Sequence, residues 1–121
     1  MESEIFKKSQ LLYNWDNAKK SKGPLILCEG QSDVLRFEKE GIKGAVASMG
    51  TAFSEDHAYM VKRVKDKAIV VMDGDDKGLI AASKAIGRFL KAGIEPLIVI
   101  PPEKKDPDEW LKEEGKKGWE S

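Results

Sequence analysis

Hydrophobic residues occur along the chain in two alternating patterns, short continuous runs and longer stretches with helical spacing. The short runs predict buried strands and are "GPLILC" (23–28), "GAVAS" (44–48), "AIVVM" (68–72) and "EPLIVIP" (95–101). Between them, apolar residues recur three or four positions apart, which predicts helices. Alternating strands and helices favour a parallel sheet covered on both faces. The pattern therefore predicts a Rossmann-like, three-layer α/β/α fold with four parallel strands.

The predicted helices have recognisable starts, inner faces and ends. The spacing predicts two inner faces: Ala58, Val61 and Val64 after an N-cap at Ser54, and Leu79, Ala82, Ile86, Phe89 and Leu90 before Gly93. The segment "SQLLYNWDNAKK" (9–20) predicts a further helix ahead of the first strand. We therefore assign residues 1–22 to an N-terminal helix and linker, and residues 23–121 to the main subdomain.

Three carboxylates directly follow two of the predicted strands. Glu29 follows the first strand, and Asp73 and Asp75 follow the third. Ligands of open parallel sheets bind beyond the carboxyl ends of the strands, near the point where strand order reverses. If these carboxylates share a ligand, the first and third strands must be neighbours. This requirement predicts the strand order 2-1-3-4, which follows from the chemistry and not from periodicity.

Composition limits the classes of protein that the chain can belong to. Its 121 residues favour one domain, and its 21 basic and 21 acidic residues give a formal charge of zero, so no nucleic-acid-binding surface is evident from net charge. Cys28, the single cysteine, lies in an apolar run and is interpreted as a small buried thiol of a reducing compartment. The longest apolar run is far short of a membrane span, and the N-terminal stretch "MESEIFKKSQ" lacks the apolar core of a signal peptide. We expect a cytoplasmic protein with no membrane partner.

The carboxylate cluster needs a positive charge to offset its own repulsion. Carboxylates without clustered histidine or cysteine are hard ligands, which select Mg²⁺ or Mn²⁺. An EF-hand loop starting at Asp73 fails at Lys77 and Lys84, and the glycine spacing of P-loops and dinucleotide folds is missing. His57, the only histidine, is expected on the surface. A polar turn in which Asp75 or Asp76 caps the next helix remains an alternative to a metal site.

Four motifs resemble the TOPRIM domain in the version found in bacterial DNA primases. They are "LILCEGQSDV", "ASMGTAF", "VVMDGDDKGLIAA" and "KDPDEWL", and they occur in the order and spacing of that domain over about residues 10–121. One departure is Gln31, at a position that is commonly aromatic in primases. On this resemblance, residues 23–121 are a TOPRIM catalytic subdomain.

The resemblance implies a Mg²⁺-dependent site for nucleotidyl transfer, with Mn²⁺ as a possible substitute. Glu29, Asp73 and Asp75 fill the shared acidic positions and are the expected catalytic and metal-binding residues. The primase version implies additional carboxylates at Asp33, Asp106 and Asp108, although Asp106 and Asp108 equally suit a helix N-terminus. Gly30, Gly74 and Lys77 are candidate contacts to nucleotide phosphates, with turn glycines and a solvated lysine as the alternatives.

The implied activity is the synthesis of RNA primers on single-stranded DNA during replication. In the resembled enzymes, template binding and docking of the replicative helicase belong to flanking regions. Because no basic stripe is evident in this chain, we interpret it as a subdomain excised from a larger primase. We expect it to be monomeric and, by itself, to synthesise little or no primer from nucleoside triphosphates.

Other functions remain open from the sequence alone. Another TOPRIM protein, of the small nuclease or topoisomerase type, would carry the same acidic positions. A haloacid-dehalogenase-type phosphatase also has D-x-D after a strand, but normally on the first strand and followed by Thr where this chain has Lys77. A receiver domain would need adjacent acids after the first strand. A non-catalytic module that binds metal or nucleic acid is a further alternative.

Overall fold

The computed structural model describes residues 12–48, 53–72 and 76–99. Over these ranges strands and helices alternate as the hydrophobic pattern predicts. The elements are β1 (Leu12–Tyr13), α1 (Trp15–Ala18), β2 (Leu25–Cys28), α2 (Gln31–Lys39), β3 (Ala45–Ser48), α3 (Glu55–Lys62), β4 (Lys67–Val71), α4 (Asp76–Ala92) and β5 (Glu95–Val99). No helix in these ranges is both long enough and apolar enough to cross a bilayer.

The strands form one sheet in the order β1-β3-β2-β4-β5. The pairs β2–β3, β2–β4 and β4–β5 are parallel, so the four predicted strands have the predicted order 2-1-3-4. The predicted strand count is wrong, because β1 adds a short antiparallel strand beside β3. β1 lies where the sequence predicts a helix, and helical structure in that segment is confined to Trp15–Ala18 among the described residues.

Helices cover both faces of the sheet, which confirms the predicted three-layer α/β/α fold. On one face, Leu27, Val46 and Val70 pack with side chains of α3 and α4, including Val61 and Phe89. On the other face, the strands pack against α2, and the buried residues include Ile26, Cys28, Val34, Phe37 and Val71. The central strands are buried on both faces and therefore consist of continuous apolar runs.

Local capping signals determine where three helices begin and end. The Ser54 hydroxyl accepts a hydrogen bond from the backbone N–H of His57, and His57 Nδ1 accepts one from the Ser54 N–H, so the predicted N-cap is confirmed. Gly41 (φ 79°) follows α2 and Gly93 (φ 86°) follows α4. At both ends a paired set of backbone bonds closes the last turn, which requires the left-handed conformation that glycine adopts easily.

The inner faces of α3 and α4 differ in part from the prediction. Ala58 and Val61 are buried as expected, but Val64 lies beyond the end of α3 and is half exposed. In α4 the buried positions are Gly78, Ala82, Ala85 and Phe89, whereas Leu79 and Leu90 are exposed. Three of the four buried positions of α4 are therefore glycine or alanine.

A buried lysine joins the loop before β2 to the turn before β4. Lys65 is 6% exposed, and its Nζ donates hydrogen bonds to the backbone oxygen of Ser21 (2.5 Å), the hydroxyl of Ser21 (3.1 Å) and the backbone oxygen of Gly23 (2.9 Å). Burial lowers the pKa of the Lys65 ammonium. These contacts hold the start of β2, the strand whose opposite end leads into Glu29.

Candidate functional site

Three parallel strands end at the same level on the carboxyl edge of the sheet. Cys28 of β2 is paired with Ala47 of β3 on one side and with Val71 of β4 on the other. The residues at this edge are therefore Glu29 after β2, Ser48 at the end of β3 and Met72 after β4. All three line one cavity. This arrangement places Glu29 beside the strand that leads, in the sequence, to Asp73 and Asp75.

The described residues include only some of the predicted site. Glu29, Gly30, Asp33 and Lys77 are described, whereas Asp73, Gly74, Asp75, Asp106 and Asp108 lie outside the described residues. Glu29 and Lys77 are exposed. The predicted convergence of Glu29 with Asp73 and Asp75 remains a prediction.

The first turn of α2 carries Asp33, which is, after Glu29, the second predicted site carboxylate within the described residues. Gly30 is the N-cap of α2 in an extended conformation, and Asp33 lies in the first turn, where the helix dipole favours a negative charge. Asp33 is only 6% exposed. Burial, and secondarily the charge of Asp33, raise the pKa of the Cys28 thiol well above its ordinary value. Cys28 is a buried, protonated core thiol, as predicted, and not a nucleophile.

The donor chemistry at this edge suits a hard cation. Among residues 12–48, 53–72 and 76–99, no three histidine, cysteine or acidic side chains come together, and four of the six predicted carboxylates lie outside these ranges. The prediction that His57 is a surface residue is wrong. Its ring is fully buried and takes part in the Ser54 capping box. The ring also packs on Phe53, with 5.3 Å between the two ring centroids. Carboxylates, with the soft donors occupied in the core, fit Mg²⁺ or Mn²⁺ better than zinc.

A cavity of about 190 Å³ opens beside Glu29. Its apolar wall consists of Leu27, Phe53, Met72 and Ala81, and its polar wall includes Glu29 and Ser48 from the strand ends and Lys84 and Arg88 from α4. Phe53 is held in place by Phe89, whose ring centroid lies 4.6 Å away. The site thus combines an acidic strand end, an apolar wall and two cations.

Apart from Lys77, the cations of α4 are a feature that sequence reasoning missed. One flank of α4 carries four cations, at Lys77, Lys84, Arg88 and Lys91. Because each residue of an α-helix turns by about 100°, these positions lie within about 60° of one another around the helix axis. Spacings of seven, four and three residues would have revealed them as one flank of a helix. Lys91 Nζ forms a 2.7 Å salt bridge with Glu55 of α3, and the hydrogen bond lowers the pKa of Glu55 and raises that of Lys91.

Comparison with known proteins identifies relatives for most of the chain. A family described as Toprim-like matches residues 26–111. A DNA primase of Aquifex aeolicus is 42% identical over 118 residues, which is 95% of this chain and 24% of that protein. A DNA primase of Borreliella burgdorferi is also 42% identical over 118 residues, covering 94% of this chain and 22% of that protein. The chain therefore spans about a quarter of the length of these curated relatives.

Solved structures agree with these sequence matches. The crystal structure of Aquifex aeolicus primase (zinc-binding and RNA polymerase domains) has a TM-score of 0.89 at 40% identity, covering 98% of this chain and 30% of that chain. The structure of a DnaG primase catalytic domain bound to single-stranded DNA has a TM-score of 0.82 at 34% identity, covering 99% of this chain and 41% of that chain. The resemblance inferred from the four sequence motifs is confirmed.

Proposed function

Because the chain belongs to the Toprim-like family, we propose that it is the TOPRIM subdomain of a bacterial DNA primase and supplies that enzyme's site for nucleotidyl transfer. The observation that carries this proposal is the register of β2 and β4. Cys28 is paired with Val71, so Glu29 leaves the sheet beside Met72, the residue before Asp73. This register supports the proposal that the acidic residues following the two strands share one edge.

We assign Glu29, Asp73 and Asp75 as the residues that hold the catalytic metal, with Mg²⁺ as the resident ion and Mn²⁺ as its substitute. Asp33, from the first turn of α2, adds negative charge. Asp106 and Asp108 are proposed as further carboxylates. A divalent ion held here would lower the pKa of an attacking hydroxyl and neutralise charge on the phosphates.

The remaining predicted contacts orient the nucleotide. Gly30 is the N-cap of α2, and its lack of a side chain is proposed to let a phosphate oxygen approach the backbone. Gly74 is proposed to act in the same way after β4. Lys77, exposed in the first turns of α4, can reach a phosphate without losing a salt bridge among the described residues. These groups bind and orient, and no side-chain nucleophile is needed.

The activity of the whole enzyme is part of the same proposal. We propose that a longer primase containing this subdomain synthesises RNA primers from nucleoside triphosphates on single-stranded DNA, in the cytoplasm at the replication fork. One structural relative is a primase catalytic domain bound to single-stranded DNA, which supports that template. Docking of the replicative helicase would use regions outside this chain.

The test is the rise in melting temperature caused by Mn²⁺ in the purified chain. An ion that binds only the folded state adds about 2.7 kcal/mol at about 100 times its Kd, roughly a 10 °C rise for a chain of this size. We expect Glu29→Gln to reduce this rise. The matched control is Glu95→Gln, an exposed residue at the opposite edge of the sheet, which should respond like the wild type.

Asp75→Asn separates the metal site from a turn or helix cap. If Asp75 holds the metal, the variant should be as stable as the wild type without metal, or slightly more so, because repulsion is relieved. It should also lose most of the Mn²⁺ response and abolish primer synthesis in the full-length enzyme. Full loss of a helix cap costs about 0.5 to 2 kcal/mol, and replacement of Asp by Asn costs less. A variant that is destabilised without metal and keeps its Mn²⁺ response would contradict the proposal.

A further inference from the structure

Two of the four cations on α4 lie one helical turn apart beside the cavity that contains Glu29. Lys84 and Arg88 are separated by about 6 Å along the helix axis, at about 1.5 Å per residue. Both line this cavity of about 190 Å³. Both also line a second, more open cavity of about 320 Å³, which continues past Gly87 to Lys91. The two cavities therefore form one depression, which leads from the carboxyl edge of the sheet to the last turn of α4.

The positive charge of this depression is concentrated at these two residues. Lys91, at the far end, forms a 2.7 Å salt bridge with Glu55. Within the described ranges, no salt bridge joins Lys84 or Arg88 to a carboxylate. The Nε of Arg88 is buried and donates no hydrogen bond to any residue of those ranges. Because a buried donor without an acceptor costs stability, an anion that accepts from Arg88 is favoured here.

The size of the first cavity limits the anion that it can hold. Pockets that enclose a drug-sized molecule have volumes of about 300 to 1,000 Å³. At about 190 Å³, the cavity beside Glu29 is smaller than this range. Much of its wall is apolar, with Leu27, Phe53 and Met72, so its charged groups are confined to Glu29 and to the two cations of α4. The cavity therefore fits a compact polyanion better than a whole nucleotide.

We propose that Lys84 and Arg88 bind a diphosphate group, the pyrophosphate that leaves during nucleotidyl transfer, and that the depression is its route of release. This assignment rests on the proposed function and adds a binding site for a product of the same reaction. In that reaction the attacking hydroxyl oxygen bonds to the α-phosphorus and its proton passes to solvent. The bond from the α-phosphorus to the oxygen shared with the β-phosphorus breaks, and the β- and γ-phosphates leave as pyrophosphate with the electron pair of that bond.

The chemistry of the two cations matches this product. Pyrophosphate carries several negative charges on two adjacent phosphoryl groups, and a guanidinium and an ammonium one turn apart can each contact one of them. The planar guanidinium of Arg88 can also form paired hydrogen bonds to one phosphoryl group. The position of the pair beside Glu29 puts it at the edge where the phosphates are released.

The test is isothermal titration calorimetry of inorganic pyrophosphate into the purified chain in EDTA. We expect the wild type to bind pyrophosphate more tightly than inorganic phosphate or sulfate at equal ionic strength. Arg88→Gln should raise the Kd at least about tenfold, as expected for the loss of a hydrogen bond to a charged group. Lys84→Gln, at an exposed position, should raise it by no more than about fivefold.

Two control variants separate the proposed contacts from general charge. Arg88→Lys keeps the positive charge but lacks the Nε donor, so it should recover only part of the affinity lost in Arg88→Gln. The double variant Arg63→Gln, Lys67→Gln removes two cations from exposed residues after α3 and at the start of β4. We expect it to bind pyrophosphate like the wild type.

Glu29→Gln distinguishes failure of this proposal from failure of the metal proposal. In EDTA this variant should bind pyrophosphate at least as tightly as the wild type, because it removes a negative charge from the same cavity. Its Mn²⁺ response should fall, as stated above. The two proposals therefore predict opposite effects of one substitution.

Nucleotides identify the source of the diphosphate. AMP, which has no diphosphate, should not compete with pyrophosphate, and ATP should bind more weakly than pyrophosphate. Tighter binding of ATP would assign the site to the incoming nucleotide and overturn the assignment to the leaving group. In the full-length primase, Arg88→Gln should raise the inhibition constant of pyrophosphate at least about tenfold, and an unchanged constant would show that the depression is not on the release route.

Three results of the calorimetry would overturn the proposal as a whole. They are absence of pyrophosphate binding by the wild type, equally tight binding of inorganic phosphate or sulfate, and an equal loss of affinity in the Arg63→Gln, Lys67→Gln control. Unchanged affinity in both Arg88→Gln and Lys84→Gln would do the same.

Discussion

Replacing Lys65 by Met should destabilise the protein by about 2 to 3 kcal/mol. The ammonium makes three hydrogen bonds, to Ser21 and Gly23, and each is worth about 1 kcal/mol after desolvation of its partners is counted. The Met side chain keeps the apolar contacts of the lysine stem. The backbone oxygens of Ser21 and Gly23 would lose their donor at the loop that leads into β2.

Urea unfolding followed by circular dichroism measures this loss. The control is Lys67→Met, two residues further along, because Lys67 is exposed at the start of β4. We expect the control to change the free energy of unfolding by no more than about 0.5 kcal/mol. If Lys65→Met costs no more than Lys67→Met, the buried hydrogen bonds do not hold the loop and the reasoning is refuted.

The pH dependence adds a second readout. Because burial lowers the pKa of Lys65 from its ordinary value of 10.5, the unfolded chain binds this proton more tightly than the folded protein. The free energy of unfolding should therefore rise as pH increases from the lowered pKa towards 10.5. Lys65→Met removes this group, so the stability gap between wild type and variant should widen over that window. If the difference in unfolding free energy between the wild type and Lys65→Met narrows as pH rises, the pKa of Lys65 is not lowered in the folded protein.

Two further predictions concern the core thiol and the salt bridge between α3 and α4. Cys28 is 1% exposed, and the pKa of its thiol is raised. It should therefore react with a thiol reagent such as dithionitrobenzoate only as fast as the folded chain opens. Rapid labelling of the folded protein would show instead that the thiol is accessible. Because the hydrogen bond from Lys91 lowers the pKa of Glu55 from its ordinary value of 4.5, the ionised Glu55 side chain stabilises the folded protein at pH values above 4.5. This contribution is lost as the pH falls through the lowered pKa. Glu55→Gln should therefore lower the midpoint of urea unfolding at neutral pH but match the wild type at about pH 3. If the variant's urea midpoint lies below that of the wild type by the same amount at both pH values, the ion pair is not the cause.

Local signals in the sequence predict most of the fold for clear physical reasons. Ser54 begins α3 because its hydroxyl satisfies a backbone donor, and Gly93 follows α4 because glycine tolerates a positive φ. Both effects involve residues only a few positions apart. The strand order follows from a different premise, namely that the carboxylates after two of the strands share a ligand. The parallel pairing of β2 with β4 agrees with that inference.

The wrong predictions have two different physical sources. Leu12 and Tyr13 form a strand because the edge of β3, more than 30 residues later in the sequence, accepts them, although their apolar pattern predicts a helix. That pairing is not encoded in the spacing of neighbouring residues. His57 is buried through local contacts, because its ring takes part in the Ser54 capping box and packs on Phe53.

The sequence by itself determined the identity of the acidic residues, the α/β class and the resemblance to a TOPRIM domain, because these depend on local composition and on motifs in a fixed order. The tertiary structure alone decided that Glu29 emerges beside the end of β4, and that Lys84 and Arg88 face the same cavity. The physical reason is that strand pairing and helix packing bring together side chains that are far apart along the chain.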